Sequence, residues 1–261
     1  MQINLLMQNS HQGKEVTLPL HYNHLVQGMV YNNIDEELAE FLHNEGYLYN
    51  KRHLKMFNFS RLIGEYKIDR KQNTIKFLSE IRLYISSPLD EFCQSFGNSL
   101  LKKGQVRIGN NNLKIRQIQF IPTKTESNDV LVQTLSPIVV YSTFLKPEGG
   151  KYTYYFMPRE PKFQSLVVEN LIKKWKAFYN KKPPGEFNIY PIGKHKQNLI
   201  IYKNTIIKGA SGLFRLQGDS RLISFALGAG LGGKGAQGFS CVKLIKERPT
   251  IKSQIKYVKK L

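Results

Sequence analysis

Apolar positions along this chain recur with two periods, and the switches between them mark short strands and amphipathic helices. Residues 2–7 read as a strand. Over residues 22–34, Leu25, Val26, Met29 and Val30 form one stripe of a helix. Leu38, Phe41 and Leu42 keep the i, i+3, i+4 rule over residues 35–44, and Gly46 falls where a helix-ending glycine belongs. Strands are predicted over residues 55–67 and 74–85. Pro88 opens a helix to about residue 102, with Leu89, Phe92, Phe96 and Leu100 facing inward. Glycine and asparagines at 109–112 then turn strand 105–108 into strand 113–122.

A polar stretch at 123–129 reads as a linker, after which the order repeats. Residues 130–145 predict one long strand, and Pro147 to Gly150 turn it into residues 151–157. Leu166, Val167, Leu171 and Trp175 line a helix over 161–180. Strands follow at 186–192 and 199–207, then a short helix at 220–227 and a last strand at 239–245. Two successive β-α-β-β-α-β units predict an α+β protein with tandem ferredoxin-like (RRM-like) domains. The expected division is 1–122, 130–245 and a basic, fraying tail at 246–261.

Composition narrows the function. The 261 residues carry a formal charge of +20, which favours nucleic acid first and an anionic membrane surface second. No apolar run is long enough to span a bilayer, and the N-terminus lacks a signal-peptide pattern. Cys93 and Cys241 lie far apart in apolar surroundings, as buried thiols of a reducing compartment would. A cytoplasmic protein without membrane contact is expected.

Residues 228–238 read GAGLGGKGAQG, too glycine-dense for a helix or an ordinary strand. Such a loop lets a backbone approach something bulky, and its N–H groups can cradle an anion. Packing against its own domain is the plain alternative. The spacing is not that of a Walker loop, because Lys234 is followed by Gly235. The dinucleotide fingerprint occurs within it, but a strand-like run follows where a helix is required.

Three groups of residues carry a family likeness: Tyr22, Asn23, His24, Gln27, Gly28, Tyr31 and Asn32; then Leu42 and His43; then residues 55–60. With Leu135, Ser136, Pro137 and the glycine loop, the chain resembles the CRISPR-associated endoribonucleases of the Cas6 family. These belong to the RAMP superfamily and cut precursor repeat RNA. The resemblance covers nearly the whole chain. It implies two ferredoxin-like domains, no cofactor, metal-independent cleavage and a 2′,3′-cyclic phosphate product. Where members carry a Tyr-His-Lys site, it maps onto Tyr31, His43 and Lys55. The segment from His43 to Lys55 is longer than in members of that pattern, so Lys51 and Arg52 stand as alternatives for the cation.

Those residue types suit the reaction. RNA supplies its own nucleophile, the 2′-hydroxyl, so the enzyme needs proton transfer and positive charge. Histidine titrates near working pH. Lysine stabilises developing phosphorane charge, and tyrosine donates a hydrogen bond or orients the nucleophile. Lys51, Arg52, Lys173, Lys174, Gly230, Gly232, Gly233, Lys234 and Gly235 are the expected RNA contacts. His21 and His24 have i, i+3 spacing but no evident third ligand, so no metal site is expected. Glu36, Glu37 and Glu40 fit the solvated start of a helix. Besides repeat RNA, interference-complex subunits and a second copy of the chain are conceivable partners. The rival reading is a non-catalytic RAMP-type subunit that only binds guide RNA.

Overall fold

The computed structural model describes residues 1–247 apart from Gln12, so the fraying expected of the tail concerns residues outside that span beyond Glu247. The first half contains β1 (Gln2–Asn9), β2 (Val16–Pro19), β3 (Tyr47–Tyr49), β4 (Arg52–Leu54), β5 (Asn58–Phe59), β6 (Tyr66–Asp69), β7 (Thr74–Phe77), β8 (Ile81–Ser86), β9 (Gln105–Ile108) and β10 (Asn111–Ile121). Its helices are α1 (Asn23–Tyr31), α2 (Glu36–Glu40) and α3 (Asp90–Lys103). The second half contains β11 (Asp129–Thr134), β12 (Tyr141–Leu145), β13 (Lys151–Tyr155), β14 (Phe187–Tyr202), β15 (Thr205–Gly218) and β16 (Val242–Glu247), with α4 (Pro161–Tyr179) and α5 (Ser220–Ala229).

Two antiparallel sheets organise the chain, ordered β5-β8-β1-β10-β9 and β14-β15-β11-β16. In both, the first strand of the β-α-β-β-α-β unit lies between its third and fourth, which is the ferredoxin-like arrangement. Ile3, Leu5 and Met7 of β1 are fully buried and share a core with Phe92 and Phe96 of α3. Val130 and Val132 of β11 are buried with Phe163 and Val167 of α4. The helix ends follow local chemistry. Asp35 caps α2 by accepting from Glu37 N and Leu38 N. α3 starts with Asp90 and Glu91, ends with Lys102 and Lys103, and stops at Gly104 in the left-handed region.

Several expected elements differ. The predicted helix over 35–44 is α2 followed by a π-helical turn, Phe41–Glu45, closed at Gly46 with φ +65°. Residues 47–54 form a β-hairpin of β3 and β4, which accounts for the long spacing between His43 and Lys55. The strands expected over 55–67 and 74–85 each divide: β2, β7 and β6 build a separate small sheet. The long strand expected over 130–145 breaks at Ser136 and Pro137. Proline has no N–H for a ladder, and Ser136 Oγ instead donates to Phe59 O at 2.9 Å, across to the first domain. The strand expected over 199–207 is a turn between two strands: β14 runs to Tyr202, the chain reverses at Lys203 and Asn204, and β15 returns.

The glycine-rich segment is not loop throughout as expected: Gly228 and Ala229 end α5, Gly235–Gln237 form a 3-10 turn, and the segment packs against the first half of the chain. Asn58 Nδ2 donates to Gly228 O at 2.7 Å and Asn23 Nδ2 to Gln237 O at 2.8 Å, both from the first half. Gly233 N donates to Val139 O at 2.8 Å. A Cβ on Gly232 would lie 2.7 Å from Val139 O, at a φ of +93°. Close backbone approach is therefore real, and it is the protein's own backbone that approaches.

Candidate active site

α1 and the π-helical turn after α2 hold Tyr31 and His43 against each other. Their rings meet edge to face with centroids 5.6 Å apart. Tyr31 also packs edge to face on Phe57, which stacks on Phe92 of the core, so the phenol rests on an aromatic column. The β3–β4 hairpin then returns the chain to the same corner. His53 Nδ1 meets Glu45 O at 2.6 Å, and Lys55 Nζ donates to His43 O at 2.8 Å. The structure thus brings Tyr31, His43 and Lys55 together. Lys51 and Arg52 are exposed at the far end of the hairpin, away from this corner.

The electrostatics assign different capacities to the three. Burial pushes the Tyr31 phenol up to about 12, with Tyr202 nearby adding to the shift. Tyr31 therefore stays protonated at neutral pH and is a hydrogen-bond donor. Burial lowers the Lys55 ammonium below its ordinary value. His43 is exposed, and its Nδ1 lies 2.9 Å from Asn44 Oδ1. With that oxygen as acceptor, Nδ1 carries the proton of the neutral ring and Nε2 is left as the base.

Beside this pair is an open cavity of about 740 Å³. His24, Gln27 and Tyr31 of α1, His43 and Asn44, and Lys203 from the second domain line it, with Glu36 and Glu40 on the α2 side. Lys203 is not among the catalytic residues that the family likeness implies. The signal for its placement was Lys203-Asn204 between two apolar, β-branched runs, the length of a two-residue hairpin turn. Among the described residues, no three His, Cys, Asp or Glu side chains cluster as a metal site. His21 is engaged instead, its Nδ1 facing Ile201 N at 3.3 Å.

The expected RNA contacts divide into two sets. A cleft of about 440 Å³ is lined by Arg52, Lys162 and Lys173 together with Tyr141 and Gly233. Lys234 stands at the same loop with its Nζ 5.3 Å from the centre of the Tyr141 ring. Lys174 does not belong there. It is 6% exposed, and its Nζ donates to Ala229 O, Gly230 O and Gly232 O at 2.8–2.9 Å. α4 turns Lys173 outward and Lys174 inward, and the latter is spent holding the loop. Gly230 and Gly232 are likewise buried, whereas Gly233, Lys234 and Gly235 are half-buried at the surface. Gly230, Leu231, Gly233, Gln237 and Gly238 donate their N–H groups to backbone carbonyls, which narrows the loop's capacity to cradle an anion.

Two ferredoxin-like domains packed against such a loop define the fold class. A solved structure described as "An RAMP protein binding different RNA substrates" shares this fold at TM-score 0.78 and 23% identity, covering 94% of this chain and all of its own. Family models place the chain more narrowly: "CRISPR-associated protein Cas6, N-terminal" matches residues 17–119, and "CRISPR associated protein Cas6, C-terminal" matches residues 121–244. The "CRISPR-associated endoribonuclease Cas6 1" of Methanocaldococcus jannaschii is 29% identical over 231 residues, 88% of this chain and 89% of that protein. A solved structure of a Cas6-related gene from Pyrococcus furiosus aligns at TM-score 0.80 and 25% identity, covering 95% of this chain and 99% of its own. The chain belongs to the Cas6 family. No helix among the described residues is long and apolar enough to cross a membrane.

Proposed function

We propose that this protein is an endoribonuclease that cuts precursor CRISPR repeat RNA to release guide RNA, acting in the cytoplasm without a metal ion. The observation that carries the reading is the pairing of Tyr31 and His43 on the wall of one cavity, with Lys55 held at the His43 backbone, from three separate segments. A subunit that only binds guide RNA has no need of that arrangement. Homology supports the same class of reaction, since the Methanocaldococcus jannaschii relative is named an endoribonuclease.

The chemistry follows from the three side chains. His43 Nε2 takes the proton of the 2′-hydroxyl, whose oxygen attacks the adjacent phosphorus. A 2′-O–P bond forms and the P–O5′ bond breaks, leaving a 2′,3′-cyclic phosphate. The 5′-oxygen must leave with a proton. Lys55 is a better acid than Tyr31, because burial lowers the former and raises the latter to about 12. Lys55 therefore protonates O5′, while Tyr31 donates to a non-bridging oxygen as charge builds on it.

The test incubates purified protein with repeat RNA in EDTA. Cleavage to a cyclic phosphate end is expected, and a 2′-deoxy sugar just 5′ of the cut should abolish it while leaving binding intact. Cleavage that needs added magnesium, or that survives the 2′-deoxy substitution, defeats the mechanism. Tight binding with no cleavage would favour the guide-holding subunit.

A further inference from the structure

The second domain also reaches the Tyr31–His43 corner. β14 and β15 form a long hairpin whose two-residue turn, Lys203 and Asn204, points back to the first domain. Three observations fix where that turn lies. Lys203 lines the same cavity as His24, Tyr31 and His43. Tyr202 Oη donates to Gln27 Oε1 of α1, which pins the base of the turn to the wall of the cavity. Ile201 N faces His21 Nδ1 at 3.3 Å from the same strand.

The turn itself is built against local preference. Lys203 and Asn204 have φ of +43° and +37°. A tight hairpin with both central residues left-handed favours Asn, Asp or Gly at each position. Asparagine at 204 meets that preference. Lysine at 203 does not, because its Cβ crowds the left-handed conformation. A residue kept where the backbone disfavours it, and aimed at a cavity beside candidate catalytic groups, points to a task in that cavity.

Charge says what the task is. The α2 side of the cavity carries Glu36 and Glu40, which repel phosphate. The turn carries the Lys203 ammonium on the opposite side. A phosphodiester entering the cavity is driven from α2 toward the turn, which is also toward Tyr31. We propose that Lys203 binds the scissile phosphate of the RNA, so that the second domain completes a site whose other residues come from the first. This rests on the cleavage reading above. It makes the inter-domain packing part of catalysis, since displacing the hairpin from α1 removes a phosphate ligand.

The test uses full-length Lys203→Asn and Lys203→Arg with uncleavable repeat RNA carrying a 2′-deoxy sugar at the cut. Asparagine suits the turn better than lysine, so the melting temperature of Lys203→Asn should be unchanged or higher. Its RNA affinity should fall about tenfold at low salt, and its salt slope should lessen by about 0.7, one single-strand phosphate. A neutral methylphosphonate at the scissile linkage should erase the difference between Lys203→Asn and wild type. Lys203→Arg should retain affinity and slope. On cleavable RNA, Lys203→Asn should cut at least tenfold more slowly at saturating enzyme. A Lys203→Asn protein that folds, binds and cuts within twofold of wild type overturns the proposal, as does an affinity loss that the methylphosphonate leaves unchanged. If wild type binds but does not cut, while the methylphosphonate still erases the Lys203→Asn defect, the phosphate contact stands and the endoribonuclease reading falls.

Discussion

At the scale of single residues, His43 and Lys55 are separable by chemistry although they touch. Lys55 Nζ donates to the His43 backbone carbonyl, a bond that substitution of the histidine side chain leaves in place. His43→Ala should lower the single-turnover cleavage rate by roughly 10²–10⁴-fold with little change in RNA affinity, the usual worth of a general acid or base. Lys55→Ala should be comparably slow on normal RNA. If Lys55 protonates the 5′-oxygen, a substrate with sulfur in that bridging position leaves without help. The Lys55→Ala defect should then shrink to a few-fold, while His43→Ala stays slow. Rescue of the histidine variant and not the lysine variant would exchange their roles.

At the scale of elements, the helices were the most legible part of the chain and the reason is local. Phe92, Phe96 and Leu100 of α3 and Val167, Leu171 and Trp175 of α4 repeat at helical spacing, and all are buried as that spacing demands. Tyr31 and His43 were legible through the family likeness, and their proximity was not, because two rings meet through tertiary packing. Strand boundaries failed where a strand's partner, not its own pattern, decides its length. β15 carries Gly209, Gly212 and Gly218, which dilute the alternation on which a sequence reading depends. Lys174 illustrates the same limit: a lysine's sequence neighbours do not reveal that three carbonyls await it.

That lysine also gives the glycine loop a measurable property. Burial lowers the Lys174 ammonium to about 7, although three carbonyl acceptors favour its charged form. An unfolded lysine titrates near 10.4. Between those values the unfolded chain binds more protons than the folded one, so this group makes stability rise with pH across that window and adds no slope below about 7. The stability of wild type relative to Lys174→Met should therefore increase from pH 7 to 10, by no more than about 1.4 kcal/mol per pH unit. Chemical denaturation at several pH values measures it, and a difference that is flat or falls with pH contradicts it. Glycine substitutions in the loop separate by packing. Gly232→Val places a Cβ 2.7 Å from Val139 O at φ +93° and should destabilise the fold by roughly 2–4 kcal/mol. Gly233→Ala meets only ordinary contacts, 3.6 Å and more, and should fold normally.

For the whole molecule, the charge of +20 is an asset only where geometry collects it. Arg52 comes from the β3–β4 hairpin and Lys173 from α4, with Lys234 of the glycine loop against Tyr141 on the wall, so the cleft draws its cations from both halves of the chain. RNA that neutralises about five phosphates here should lose about a hundredfold in affinity between 50 and 200 mM salt, at about −0.7 per phosphate on a single strand. Each cleft cation that meets one phosphate contributes its own share of that slope. The triple variant Arg52→Gln, Lys173→Gln, Lys234→Gln should accordingly show a slope lower by about 2. Its affinity should fall far more than its cleavage rate at saturating enzyme, because the cavity beside Tyr31 and His43 is lined by other residues. Titrations of uncleavable repeat RNA at four salt concentrations, set beside single-turnover rates, distinguish the cases. An unchanged slope would move the RNA track off this cleft, and a rate that falls as far as affinity would mean the cleft positions the scissile phosphate itself.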